Sequence, residues 1–182
     1  MIRLGPYKAP LDRRIKSLKF HHVWKWADYL GKQLATALPQ PHVGHAIYIT
    51  AVPLHRNRRL KRGYNQSELI AKRIAKQRQF KYHTLLKRTK DTLPQSSLPP
   101  SKRDANVTGA FSIIHPNLNL ENAHVIIIDD VKTSGSTLKQ CAKLLRKANA
   151  LTITAAVIAV ASPSDHQPTD DHDADIYQTI HA

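Results

Sequence analysis

Two adjacent carboxylates, Asp129 and Asp130, end the apolar run Val125-Ile126-Ile127-Ile128, and Val131-Lys132 separates them from Thr133-Ser134-Gly135-Ser136-Thr137. A strand this apolar has both faces buried, as at the centre of a parallel sheet. Its carboxyl end is where open α/β sheets bind ligands. The small hydroxyl residues and the glycine lead into a helix, so backbone N–H groups and the positive end of the helix dipole converge on one point, where a phosphate fits. Carboxylates that accept hydrogen bonds from a diol, set beside an anion cradle, suit a phosphoribosyl group. The Gly-x4-Gly-Lys-[Ser/Thr] loop of nucleotide-binding proteins and the Gly-x-Gly-x-x-Gly dinucleotide fingerprint are absent from the sequence. The plainer alternative is a strand-turn-helix whose Asp pair caps a helix.

Positioning these residues takes a βαβ unit. The strand over 124–129 is followed by an amphipathic helix over Ser136 to Lys147, with Leu138, Cys141, Leu144, Leu145 and Ala148 as its apolar stripe, and by a β-branched run from Leu151 to Val160. The crossover should be right-handed. Upstream, Ala46 to Val52 reads as a buried strand stopped by Pro53. The loop Pro53 to Gly63 carries Arg56, Arg58, Arg59, Lys61, Arg62 and His55, and a helix capped by Asn65 runs to Arg78. Spacings of three and four from Leu11 to Leu38 predict two helices broken near Phe20-His21-His22, with Trp24 packed inward and Trp26 half exposed. From Leu85 to Arg103 the chain is polar, basic and proline-bearing, which fits a mobile loop that closes over a reaction centre, a nucleic-acid contact or a solvated linker. Val107 to Ile114 fits a short strand or hairpin.

The formal net charge of +15 is unevenly spread: Met1 to Arg103 holds 23 Lys and Arg against 4 Asp and Glu, and the remainder 5 against 9. This asymmetry suggests a polyanionic partner, either nucleic acid or a multiply phosphorylated small molecule, against the alternative of solvated basic helix faces. Cys141 is the single cysteine, which excludes an intramolecular disulfide and a thiolate zinc cluster and reads as a packed core thiol. Apolar runs are far shorter than the roughly 20 residues of a bilayer span. With no secretory signal pattern at the start, the expectation is a soluble, cytoplasmic protein without membrane insertion. The eleven histidines show no metal-site spacing.

The segment Val125 to Leu138 resembles the PRPP-binding motif of type I phosphoribosyltransferases, and more of the chain resembles the ComF/GntX family. The resemblance includes Gly5-Pro6-Tyr7-Lys8-Ala9-Pro10-Leu11 with Lys19-Phe20, then Val52-Pro53-Leu54-His55 leading to Arg59-Leu60-Lys61-Arg62-Gly63-Tyr64-Asn65-Gln66-Ser67-Glu68-Leu69. It continues through Leu86-Lys87-Arg88, Thr92, Pro94-Gln95, Arg103, Asn106-Val107 and Gly109-Ala110-Phe111. It implies that Asp129 and Asp130 hold the ribose hydroxyls of PRPP with Mg²⁺ nearby, and that Thr133, Ser134, Gly135, Ser136 and Thr137 wrap the 5-phosphate. Pro53, Leu54 and His55 would bind pyrophosphate, with Arg59, Lys61 and Arg62 as countercharge. Family members commonly begin with a cysteine-rich zinc ribbon; this chain has no CxxC, so no zinc is expected. Lys132 stands where the motif prefers an apolar residue, and either reaches the ligand or faces water.

The fold expected is therefore α/β, a type I phosphoribosyltransferase fold with a twisted parallel sheet flanked by helices. A basic helical N-terminal segment (1–42) precedes the phosphoribosyltransferase-like domain (43–162, hood about 82–114), and a disordered acidic tail (163–182) follows. The resemblance implies PRPP binding and a role in DNA uptake and utilisation, alongside proteins of the competence machinery. The rival reading is a catalytically inactive scaffold that grips single-stranded DNA. No residue identifies itself as catalytic, and no acceptor can be read.

Overall fold

The computed structural model describes residues 1–40, 45–92, 98–115 and 117–162. Five parallel strands form the sheet, in the order β1 (Ile2–Pro6), β7 (Thr152–Val160), β6 (Ala123–Lys132), β2 (Ala46–Ala51) and β3 (Lys81–Tyr82). Residues of β6 alternate between two cores. Ile126 and Ile128 face α1 (Leu11–Phe20), α2 (Lys25–Ala37) and α4 (Gln66–Arg78), where Ile15, Leu18, Leu30, Leu34, Ile70 and Ile74 are fully buried. Val125 and Ile127 face α6 (Ser136–Lys147), whose Leu138, Cys141 and Leu145 pack with Val107 and Phe111. Burial on both faces is why the strand reads as one apolar run.

Between β3 and β6 the chain forms β4 (Leu86–Arg88), α5 (Pro100–Val107) and β5 (Phe111–Ile113), with β4 and β5 paired antiparallel. The stretch expected to be a mobile loop thus contains a strand and a helix. Pro94-Gln95 and the expected acidic tail lie outside the described residues. Another short helix, α3 (Arg56–Arg62), occupies what read as a basic loop. No apolar stripe marks it; instead the His55 side chain accepts from the Asn57 backbone N–H at 3.4 Å at its start, and Gly63 at φ 76° ends it.

The N-terminal segment forms the two expected helices and also supplies edge strand β1, paired along β7. The tryptophans reverse expectation: Trp24 is 63 % exposed, while Trp26 packs against the core. Trp24 precedes the first residue of α2, and His22 turns the chain at φ 53°, so helical spacing from α2 does not apply to it. Among the described residues, no helix is long and apolar enough to cross a membrane.

Candidate functional site

Topology fixes the location. From β2 the chain crosses through α4 to β3 on one side, and from β6 through α6 to β7 on the other, so strand order reverses between β2 and β6. Such a switch point opens a crevice at the carboxyl ends of the strands. Pairing between β2 and β6 stops at Ala51 and Ile128, closed by the Val52 N–H donating to the Ile128 carbonyl at 2.9 Å, whereas β6 stays paired to β7 as far as Lys132. Asp129 and Asp130 therefore occupy a strand supported on one side and open on the other.

The alternation that builds the two cores also separates the carboxylates. Asp130, 4 % exposed, points to the α1/α4 side. Its Oδ2 receives the Lys19 ammonium at 2.9 Å and the Gln66 amide at 2.8 Å, and its Oδ1 receives the Val131 N–H at 2.6 Å. Asp129 is half-buried; its Oδ1 accepts from the Ser67 hydroxyl at 3.1 Å and the Asp130 N–H at 2.9 Å. Burial and the adjacent negative charge of Asp130 push the Asp129 carboxyl up to about 7, against the opposing pull of the Asp130 N–H, Lys19 and Ser67. Burial first, then Asp130, raises the Tyr7 phenol to about 12.

Gly135, at φ 84°, turns the chain from β6 into α6. A Cβ there would lie 3.0 Å from Cε of Lys132, whose ammonium folds back to the Thr133 carbonyl at 3.3 Å. Ser134 and Ser136 join their hydroxyls at 2.6 Å, and the Ser136 N–H reaches Ser134 Oγ at 3.3 Å. The Ser136 hydroxyl also donates to Asp104 of α5, which ties this loop to the hood.

The residues after β2 divide. Pro53, Leu54 and His55 lie at the crevice mouth, and His55 Nδ1 is 3.3 Å from Asp91 Oδ2, which also accepts from Asn57 at 2.8 Å. Arg59 turns to Glu68 at 2.9 Å, and Arg62 to Gln66 Oε1 at 2.8 Å with its guanidinium over Phe20. Lys61 is on the same helix. Sequence reasoning passed over Lys19, Gln66, Ser67, Arg88 and Asp104 as site residues. Arg88 is half-buried over Phe111, with burial and then Arg58 lowering its pKa while Asp129 raises it. The available signal was topological: a helix leaving a switch point presents its first turn, here Gln66 and Ser67, to the crevice.

A model of the phosphoribosyl transferase domain matches residues 61–181. The chain belongs to that family. It is 33 % identical over 153 residues to Competence protein F of Haemophilus influenzae, covering 81 % of this chain and 66 % of that protein. It is 29 % identical over 163 residues to DNA utilization protein YhgH of Escherichia coli K12, covering 84 % and 68 %. The chain thus spans about two thirds of the length of these curated relatives. Among solved structures, a hypoxanthine phosphoribosyltransferase from Staphylococcus aureus is similar at 16 % identity with a TM-score of 0.44, over 82 % of this chain and 69 % of that one. The expected fold class and the ComF family resemblance both hold.

Proposed function

We propose that the chain binds PRPP with Mg²⁺ in the crevice between β2 and β6, as a phosphoribosyltransferase-like protein that serves the use of incoming DNA in competence. The observation that carries the reading is the pairing, at one switch point, of a half-buried carboxylate at the free edge of β6 with the hydroxyl-rich turn that opens α6. In this reading Asp129 serves the ribose side with Asp130 behind it, Thr133 to Thr137 hold the 5-phosphate, and Pro53 to His55 face the pyrophosphate. Arg59 and Arg62 would have to leave Glu68 and Gln66 to act as countercharge, and Lys61 adds charge from the same helix.

The donor chemistry fits Mg²⁺ only as a shared ion. Asp129 is a hard oxygen donor at an open edge, and among the described residues no group of three or more His, Cys, Asp or Glu could hold a metal. Mg²⁺ keeps most of its waters and commonly takes one or two carboxylates plus substrate phosphates. When bound, it would supply neutralisation of a pyrophosphate leaving group. The DNA-related role is drawn from the names of Competence protein F and DNA utilization protein YhgH.

Isothermal titration with PRPP and Mg²⁺ tests the reading. Binding by the wild-type chain and its loss in Asp129→Asn/Asp130→Asn are expected; no binding, or an unchanged isotherm in the variant, refutes it.

An exposed ledge beside the crevice favours the second reading, single-stranded DNA binding. Trp24 and Phe20 are 63 % and 47 % exposed, Trp24 and His22 stand edge-on to Tyr64, and Arg62 covers Phe20. Aromatic faces next to guanidinium groups stack unpaired bases without sequence preference. An electrophoretic shift series with a labelled single strand tests it: affinity should fall as salt rises, and weak, salt-independent binding removes this reading.

A further inference from the structure

The two motif carboxylates do not have the same work to do. Asp130 is engaged at both oxygens and nearly buried: Lys19 and Gln66 fill Oδ2, and the Val131 N–H binds Oδ1. A ribose hydroxyl that took Oδ2 would displace an ammonium from a nearly buried carboxylate, which leaves an uncompensated charge on both. Asp129 differs. Both of its hydrogen bonds fall on Oδ1, so Oδ2 keeps its acceptor capacity.

The two roles are mechanically joined. Lys19 from α1 and Gln66 from α4 clamp the Asp130 carboxylate, and the Asp130 N–H, with the Ser67 hydroxyl, fixes the Asp129 carboxylate. Lys19 lies outside residues 61–181, the span of the family domain. The N-terminal helix therefore reaches the heart of the site, and Tyr7 lies close enough to feel the charge of Asp130.

We propose that the acidic pair is divided: Asp129 alone presents a carboxylate to the ligand's hydroxyls, and Asp130 with Lys19 is an internal ion pair, with Lys19 a positioning residue that pins the N-terminal segment to the site. The division rests on the phosphoribosyl reading above and departs from a ribose clamp made of two equivalent acids.

The test measures the melting midpoint, and PRPP affinity with Mg²⁺ well below that midpoint, across the wild type and four variants. Asp129→Asn should weaken PRPP about tenfold or more without lowering the midpoint. Asp130→Asn should lower the midpoint by several degrees and leave affinity within about threefold of wild type once the protein is folded. Lys19→Met should lower both midpoint and affinity. Lys19→Met/Asp130→Asn, with neither charge present, should recover both, a recovery that a Lys19 touching the ligand directly would not allow. Lys19→Arg should keep the affinity.

Equal losses of affinity in Asp129→Asn and Asp130→Asn at unchanged midpoints overturn the division. A double variant that melts like the wild type yet still binds weakly overturns the positioning role. A wild type that takes up no PRPP sinks the phosphoribosyl reading and the role of Asp129 with it, while the midpoints of Lys19→Met and the double variant still decide whether the pin exists.

Discussion

Asp129 makes the stability of the unliganded protein depend on pH in a direction opposite to the usual paired carboxylate. In the unfolded chain its pKa is near 3.8, and in the fold burial and Asp130 hold it at about 7. Between those values the folded state binds more protons than the unfolded one, so stability is full below about pH 4, declines as pH rises towards 7, and is flat above. Each unit of displacement corresponds to about 1.4 kcal/mol, which sets a ceiling of about 4 kcal/mol. Solvent reaching the half-buried side chain reduces this to about 2–4 kcal/mol. For a domain of this size that is a shift of about 5–10 °C in the melting midpoint. Asp129→Asn removes the titration and leaves every histidine in place, so the difference between variant and wild type isolates this one group. Differential scanning fluorimetry from pH 3.5 to pH 8.5, without ligand, should show the two proteins melting together at the acid end and the variant melting about 5–10 °C higher at the alkaline end. A difference that stays constant across the series refutes the argument that burial and Asp130 raise the Asp129 carboxyl.

Other substitutions test the scaffold. Gly135→Ala forces an L side chain to φ 84° and into Lys132 at 3.0 Å; it should cost about 1–3 kcal/mol in chemical denaturation and weaken binding of PRPP or inorganic phosphate. Gly31→Ala places a Cβ 2.8 Å from Cβ and Cγ of Arg73 and 3.3 Å from the Ile70 carbonyl. It should separate α2 from α4 at about 1–3 kcal/mol, seen as a lower urea midpoint with an unchanged slope. Trp24→Ala removes a side chain that is 63 % exposed, so it should move the melting midpoint by less than about 2 °C. It should also weaken single-stranded DNA in gel shifts by about fivefold or more.

Legibility followed the physical signals each element leaves. The strand, turn and helix of the site were readable because β6 is buried on both faces and α6 on one, so hydrophobicity alone marks them. The same holds for Asn65, whose side chain accepts from the Ser67 N–H at 3.1 Å as a cap should. Helix α3 was invisible, since it buries none of its residues and periodicity has nothing to act on. Strand β1 is short and at the sheet edge, where burial is partial and alternation weak. Trp24 misled because periodicity was extended past the turn at His22. The site's partners were hidden for a different reason. Lys19 and Asp130 are 111 positions apart and meet only because α1 packs on the face of the sheet to which even-numbered residues of β6 point.

That pairing changes what the charge distribution means. Read as a total, the excess of cations in the first half asks for a polyanion. Yet the structure uses many of them internally: Lys19 holds Asp130, Arg59 and Lys72 hold Glu68, Arg73 and Lys32 hold Asp28, and Arg78 donates to the carbonyls of Ala35, Leu38 and Pro39 at the end of α2. Lys19, Arg59, Arg73 and Arg78 bind helices to each other or to β6, while Lys72 and Lys32 pair within their own helices; withdrawing Lys19 for a ligand would break a contact that positions the site. Polyanion recognition is then better judged by place than by number. What matters is that Arg58 and Arg88, bonded to the Thr92 carbonyl and hydroxyl, stand on the hood side of the crevice, while Arg62 stands over Phe20 on the other. Guanidinium groups at a crevice concentrate their field there. On the proposed reading a phosphorylated ligand would meet positive charge at the rim and the Asp129 carboxyl within, an order that suits a molecule whose phosphates flank a sugar.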